Sequence, residues 1–236
     1  MSPRLRREAD TGSAPFAPPR RVASTAVAKQ RLKSPRVRLF VALDLPDRVR
    51  EGLAAWQARA LTDPALRPMR ADSLHVTLCF LSYQAEKAVP RIAEAVRSVG
   101  ARPVQLRFEA EPAPRPKGRP RMYTLGAASD DAVALQAELA RVLESKGFYE
   151  PEKRAFWPHV TVARVRSERL PPGRGERRGK GRPRRVTRAP KSLPAALTDP
   201  FGAVRMALYR SDLKPQGAEY VSLAGVDLPS PGDKKR

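Results

Sequence analysis

Apolar residues along this chain recur in two spacings, and from residue 37 onward those spacings run twice through the same order. Val37-Arg38-Leu39-Phe40-Val41-Ala42-Leu43-Asp44-Leu45 is an apolar run of strand length. Pro46 follows it, where proline opens a helix, and the pattern carries that helix to about Ala60. Residues 61–73 read as a connection, with a short strand around Arg67–Arg70. A second apolar run, Leu74–Leu81, predicts a strand. Between Gln84 and Val99 the spacing changes to three and four, so that Ala88, Ile92, Ala93, Val96 and Val99 share one stripe of an amphipathic helix. Leu106, Phe108 and Ala110 then alternate as in a strand, and Pro112–Pro120 is a turn rich in Pro and Arg.

The second pass begins with a strand at Met122–Ala127. Asp130 or Asp131 caps a helix reaching Lys146, which Gly147 ends. Phe148–Trp157 is a connection, His159–Val165 a strand, and Leu193–Leu197 a short helical turn. Ala203–Tyr209 and Tyr220–Leu228 complete the strands. Both halves thus read strand, helix, strand, then at least one more strand. The expected class is α+β: two pseudo-symmetric lobes, each an antiparallel sheet with helices packed outside, and an active-site cleft between them.

The two equivalent strands carry the candidate chemistry. One contains His75-Val76-Thr77-Leu78 and the other His159-Val160-Thr161-Val162; the chain has no other histidine. In a strand, residues i and i+2 point to one face, so each copy offers an imidazole beside a hydroxyl while Val76 and Val160 point into a core. Two such strands facing one another would supply two imidazoles, able to act as acid and base near neutral pH, and two hydroxyls to hold an anion. A histidine pair without an acid or thiol cluster does not match common metal-ligand sets, and no Gly-rich phosphate loop is present, so neither metal nor other cofactor is expected. Cys79 and Phe80 read as core residues beside the first motif.

Charge alters the picture at the chain's margins. The net charge is +22. Residues 1–36 hold nine Lys/Arg against two acids, and 164–191 hold twelve against two, so most of the charge lies outside a nearly balanced body. Expected organisation is a disordered basic arm (1–36), a catalytic domain (37–228) interrupted by a basic loop (167–191), and a disordered tail (229–236). Such charge favours a polyanion through counterion release, although a solvated surface has the same composition. A lone cysteine fits a reducing cytoplasm, no apolar run approaches a membrane span, and the basic N-terminus lacks the apolar stretch of a secretory signal.

Four segments, in order, make the chain resemble the 2H phosphoesterase superfamily, and within it the LigT-type RNA 2′,3′-cyclic phosphodiesterases, formerly called 2′-5′ RNA ligases. They are Arg38–Pro46, Leu74–Leu81, Pro158–Arg164, and Leu208–Leu213 with Gly217-Ala218-Glu219-Tyr220. The resemblance implies metal-independent hydrolysis of RNA 2′,3′-cyclic ends, or of cyclic nucleotides, to 2′-phosphates. It implies His75 as proton donor and His159 as acceptor; the repeat itself makes the two equivalent. Thr77 and Thr161 would bind the non-bridging oxygens. Arg164 is a further phosphate-binding candidate, but in an unbroken strand it points away from His159 and Thr161, so a bulge would be needed to turn it inward. The same site could join RNA ends through a 2′-5′ linkage. A third reading is a basic RNA-binding protein with a vestigial site. No membrane and no obligate protein partner is expected.

Overall fold

A computed structural model describes residues 35–168, 181–214 and 217–232. The apolar run at 37–45 is strand β1 (Arg36–Asp44), and Pro46 precedes helix α1 (Asp47–Ala60) as expected. Strand β2 (Leu66–Pro68) leads to the first motif strand, β3 (His75–Ala85). The following helix is shorter than its apolar stripe: a 3₁₀ turn at Glu86–Ala88 precedes α2 (Val89–Ser98). Pro90 sets that start, because proline is accepted in the first turn of a helix but breaks its interior.

Strands β4 (Gln105–Phe108), β5 (Ala113–Arg115) and β6 (Met122–Ala128) follow, so the Pro/Arg turn opens with a short strand paired to β6. Helix α3 (Asp130–Ser145) is capped by Ser129, not by either aspartate: the Ser129 hydroxyl accepts from the Ala132 amide at 2.9 Å. Asp130 and Asp131 occupy the first turn, where their charge opposes the helix dipole. Strand β7 (His159–Val165) has the expected bounds. Strands β8 (Ser167–Glu168) and β9 (Arg182–Pro183) pair across the basic loop, and β10 (Phe201–Gly202), β11 (Arg205–Lys214) and β12 (Gly217–Asp227) complete the chain. Among the described residues, no helix is long and apolar enough to cross a membrane.

The expected α+β class holds, with a large antiparallel sheet and three helices among the described residues. One expectation needs correction. The motif strands do not face one another from separate sheets; they are neighbours in a path ordered β10-β4-β6-β7-β3-β1-β11-β12. They share a single residue pair, Val76 with Val160. Beyond it they part, and β2 takes over the freed edge of β7 from Ala163 to Val165. Strand twist accounts for the parting, since paired strands rotate against one another and a short pairing is easily broken. Val76, Val160, Leu43, Leu125 and Met206 are fully buried within one continuous core that also takes in α1, α2 and α3.

The proposed arm 1–36 lies outside the described residues except for its last two, and Arg36 already belongs to β1. The middle of the basic loop, 169–180, and the end of the tail, 233–236, also lie outside them. The returning half of the loop is pinned to the body. The buried Asp63 carboxylate accepts hydrogen bonds from the Thr187 amide at 2.7 Å, the Thr187 hydroxyl at 2.8 Å, the Arg188 amide at 2.8 Å and the Ala65 amide at 2.8 Å. Burial alone would raise the Asp63 carboxyl, but the Arg188, Ala65 and Thr187 donors together hold it well below the usual carboxylate range.

Removing that carboxylate should free the loop. Asp63→Ala is expected to lose roughly 2 kcal/mol in urea unfolding at pH 7, the scale of charged hydrogen bonds left unmade, and to expose Arg184, Arg185 and Arg188 to trypsin. A carboxyl held low in the folded state stabilises fully above its unfolded value, so the gap between wild type and variant should close as pH falls below about 4.

Candidate active site

Alternation along β3 and β7 buries Val76, Leu78, Val160 and Val162 and turns His75, Thr77, His159 and Thr161 to the opposite face, where all four are half-buried. The Val76–Val160 pair fixes their mutual register. The strands pair only at the valines; continued one residue to either side, that antiparallel register would set His75 across from Thr161 and Thr77 across from His159. In that register the two imidazoles would take one diagonal of a small square and the two hydroxyls the other.

The flanking strands repeat the correspondence. Asp44, Leu43 and Ala42 of β1 stand opposite His75, Val76 and Thr77; Gly126, Leu125 and Thr124 of β6 stand opposite His159, Val160 and Thr161. Directly after each threonine, the register slips by one residue. Val41 pairs with Cys79, skipping Leu78, and Tyr123 pairs with Ala163, skipping Val162. These matched β-bulges reverse which face the next residues take. Arg164 is therefore exposed on the histidine face, opposite Met122, whose sulfur is 3.9 Å from the Thr161 hydroxyl. The bulge that the sequence demanded for Arg164 is present. The Val162 carbonyl in it accepts from the Gln57 side chain at 2.7 Å and from the Met69 amide at 3.0 Å, which ties the bulge to α1.

The same reversal places Phe80 at the position equivalent to Arg164. Its ring is 51% exposed, so the expectation of a core Phe80 is overturned. Cys79 beside it is buried, and burial pushes its thiol up to about 12 despite hydrogen bonds from Gln136 and Tyr149; this is a packed, unreactive sulfur.

Each imidazole is held by local contacts. His159 Nδ1 lies 2.8 Å from the Trp157 carbonyl. A carbonyl only accepts, so Nδ1 carries the proton, and in the neutral ring Nε2 is left as an acceptor. The Trp157 ring stacks on His159 at 4.8 Å, and the Arg115 guanidinium lies 4.2 Å above Trp157. His75 stacks on Phe40 at 5.0 Å and meets Tyr220 edge-on at 5.3 Å. The backbone of Ser73 favours its protonated form.

Asp44 is the residue sequence reasoning missed. Its carboxylate accepts from the Tyr209 hydroxyl at 2.6 Å and from Arg205 Nε at 2.8 Å, beside His75 in the adjoining strand. A signal was available: Asp44 is the single acid in an apolar strand. Burial lowers His75 to about 4, against the raising influence of Asp44 and Ser73, while His159 and Arg164 add to the lowering. Burial likewise lowers His159, opposed by the Trp157 carbonyl and reinforced by Arg115 and Arg154. Both rings are thus neutral at pH 7 with the site empty. Each ring has a carboxylate that favours its cation, Asp44 for His75 and Glu152 for His159, and guanidiniums that disfavour it, Arg164 for His75 and Arg115 and Arg154 for His159.

Comparison with known proteins bears on the family and the fold. Residues 45–172 match the model of the 2′-5′ RNA ligase superfamily. An Escherichia coli protein named RNA 2′,3′-cyclic phosphodiesterase is 35% identical over 146 residues, 58% of this chain and 78% of that protein. A Thermus thermophilus protein of the same name is 26% identical over 200 residues, 81% and 90% of the two chains. Among solved structures, one from Thermus thermophilus superposes with a TM-score of 0.64 at 25% identity, covering 80% of this chain and 97% of that one. Escherichia coli LigT with 3′-AMP gives 0.62 at 22% identity, over 82% and 99%, a likeness that speaks for the fold alone. By the match over more than half its length and by these relatives, this chain belongs to the 2′-5′ RNA ligase superfamily.

Proposed function

We propose that this chain hydrolyses 2′,3′-cyclic phosphodiester ends of RNA to 2′-phosphomonoesters, with His75 as general acid and His159 as general base and no metal in the reaction. One observation carries the reading: two imidazoles and two hydroxyls from the His-x-Thr copies share one face, interleaved across a single strand pair. In-line displacement needs a base on one side of phosphorus and an acid on the other. Diagonal histidines about 7–8 Å apart along the strands suit that geometry. His159 Nε2, the free acceptor, takes a proton from water as its oxygen bonds to phosphorus. The P–O3′ bond breaks, and the departing O3′ receives the proton of His75. Thr77, Thr161 and the Arg164 guanidinium bind the non-bridging oxygens, where charge accumulates.

His75 must be protonated when substrate is bound. The anionic phosphate supplies counter-charge there, and Asp44, which accepts from Tyr209 and Arg205, adds to it. The exposed Phe80 offers a stacking surface for the terminal base without reading its identity. In this reading the nucleotide lies on the face that the two motif strands share. In this reading residues 37–228 make the catalytic domain, and the arm and basic loop add affinity for longer RNA.

His75→Ala and His159→Ala should each lower turnover of an oligonucleotide with a cyclic-phosphate end at least about 10²-fold, with unchanged circular dichroism. Near-normal hydrolysis by either would refute the two-histidine mechanism, and abolition of wild-type turnover by EDTA with rescue by one metal would refute its metal independence. The product should carry phosphate on the 2′ oxygen, resolved by phosphorus NMR; a 3′-phosphate would mean that the ring opens on the other side.

Because both free imidazoles sit below their ordinary value, lowering the pH from 8 towards 5 populates the protonated acid, and kcat/KM should rise over that range. Removing the negative charge in Asp44→Asn should lower His75 further and shift the rise to lower pH. An unmoved profile would detach Asp44 from the chemistry.

A further inference from the structure

The turn between β5 and β6 is the one rim of the candidate site that the proposed reaction leaves without a task. Residues 115–121 read Arg-Pro-Lys-Gly-Arg-Pro-Arg, four cations with no acid, inside the body rather than on an appendage. The Arg121 amide bonds the Arg115 carbonyl at 2.8 Å and closes the segment into a hairpin. Lys117, Arg119 and Arg121 are exposed. Among the described residues, none of the four forms an ion pair with a carboxylate. The buried Nε of Arg115 has no hydrogen-bond acceptor at all. Like charges so close in one turn repel one another, and a bound polyanion would relieve that repulsion.

Its place in the sheet says where that anion would be. Arg115 stands opposite Met122, and Met122 opposite Arg164, so the three lie in one cross-strand row on the histidine face. Arg115 and Arg164 are two strands apart, roughly 10 Å. One phosphate held at Thr161 and Arg164 does not span that distance; the next phosphate of the same strand does, with help from the reach of two arginine side chains. Arg115 also caps the Trp157 ring that stacks on His159, so the hairpin begins where the reacting phosphate ends.

We infer that the 115–121 hairpin is a binding site for the RNA backbone on the 5′ side of the cyclic end, taking the first internucleotide phosphate and its upstream neighbours. The inference rests on the proposed function for the direction of the strand. It makes single-stranded RNA ends, and not free cyclic mononucleotides, the better ligand class. Contacts to phosphate alone impose no sequence preference.

The test uses the full chain and a variant carrying Lys117→Ala, Arg119→Ala and Arg121→Ala, which leaves Arg115 on Trp157. Two measurements are made. The first is the ratio of kcat/KM for a five-nucleotide RNA with a cyclic end to that for a nucleoside 2′,3′-cyclic phosphate. The ratio should exceed about tenfold in the wild type and fall most of the way to one in the variant. A neutral methylphosphonate at the first linkage should reduce it in the wild type. The second is fluorescence anisotropy of the same RNA ending in a 3′-phosphate, which needs no turnover. The log–log salt dependence should become shallower by about 0.7 for each phosphate no longer neutralised. A wild-type ratio near one, or a ratio and salt slope that survive in the variant but vanish when Arg182, Arg184 and Arg185 of the basic loop are replaced, would overturn the inference. Should no cyclic phosphate be hydrolysed while anisotropy still depends on the hairpin, the proposed reaction fails and the RNA site stands.

Discussion

Everything at the candidate site depends on one antiparallel backbone pairing, between Val76 and Val160. It is the only register point that β3 and β7 share, and both valine side chains are sealed in the core beneath it. That pairing converts two distant sequence motifs into neighbours with a defined phase, the histidine and threonine of each copy flanking the matched valine. A slip of one residue would turn every histidine and threonine of one strand inward and bury polar groups in an apolar core. The site's geometry is therefore guarded by the same hydrophobic packing that stabilises the sheet. Leu43 and Leu125, fully buried on either side, extend the row and oppose such a slip.

Around this centre the repeat is faithful in backbone and broken in side chain. Both halves place a one-residue bulge after the threonine, and both aim the residue five places after the histidine back at the site. In one half that residue is Phe80, in the other Arg164. Opposite the histidines stand Asp44 in one half and Gly126 in the other. These two exchanges make one side aromatic and anionic, the other cationic. Two chemically identical imidazoles thereby acquire unequal surroundings, which is what a reaction with one acid and one base requires.

The sequence made the elements legible because period is a property of single strands and helices. Strand β7 and both ends of α1 fall where apolar spacing and Pro46 set them. Partners and phase were not legible. Alternation says which residues share a face but not which strand lies alongside, so the adjacency of β3 and β7 looked like an encounter across a cleft. The bulges left no trace because their skipped residues, Leu78 and Val162, are ordinary apolar side chains without a glycine to mark the irregularity. Phe80 was misplaced for that reason, and the orientation of Arg164 stayed open. Asp44 was hidden by its partners, since Arg205 and Tyr209 lie more than 160 positions away. Block counting of charge also hid the cationic hairpin, whose four positive residues are balanced by acids elsewhere in the body.

The Asp63 clasp bears on how this chain can change over time. β8 and β9 join the two ends of the basic segment, and Asp63 bolts its return to the body through Thr187 and Arg188. The two described ends of that segment, Ser167–Glu168 and Arg182–Pro183, are thus held on a fixed base. Lengthening a loop costs only about 0.6 kcal/mol for each doubling. A longer or shorter connection between those held ends would accordingly cost the scaffold little. Those held ends are a natural port for grafting a foreign recognition sequence.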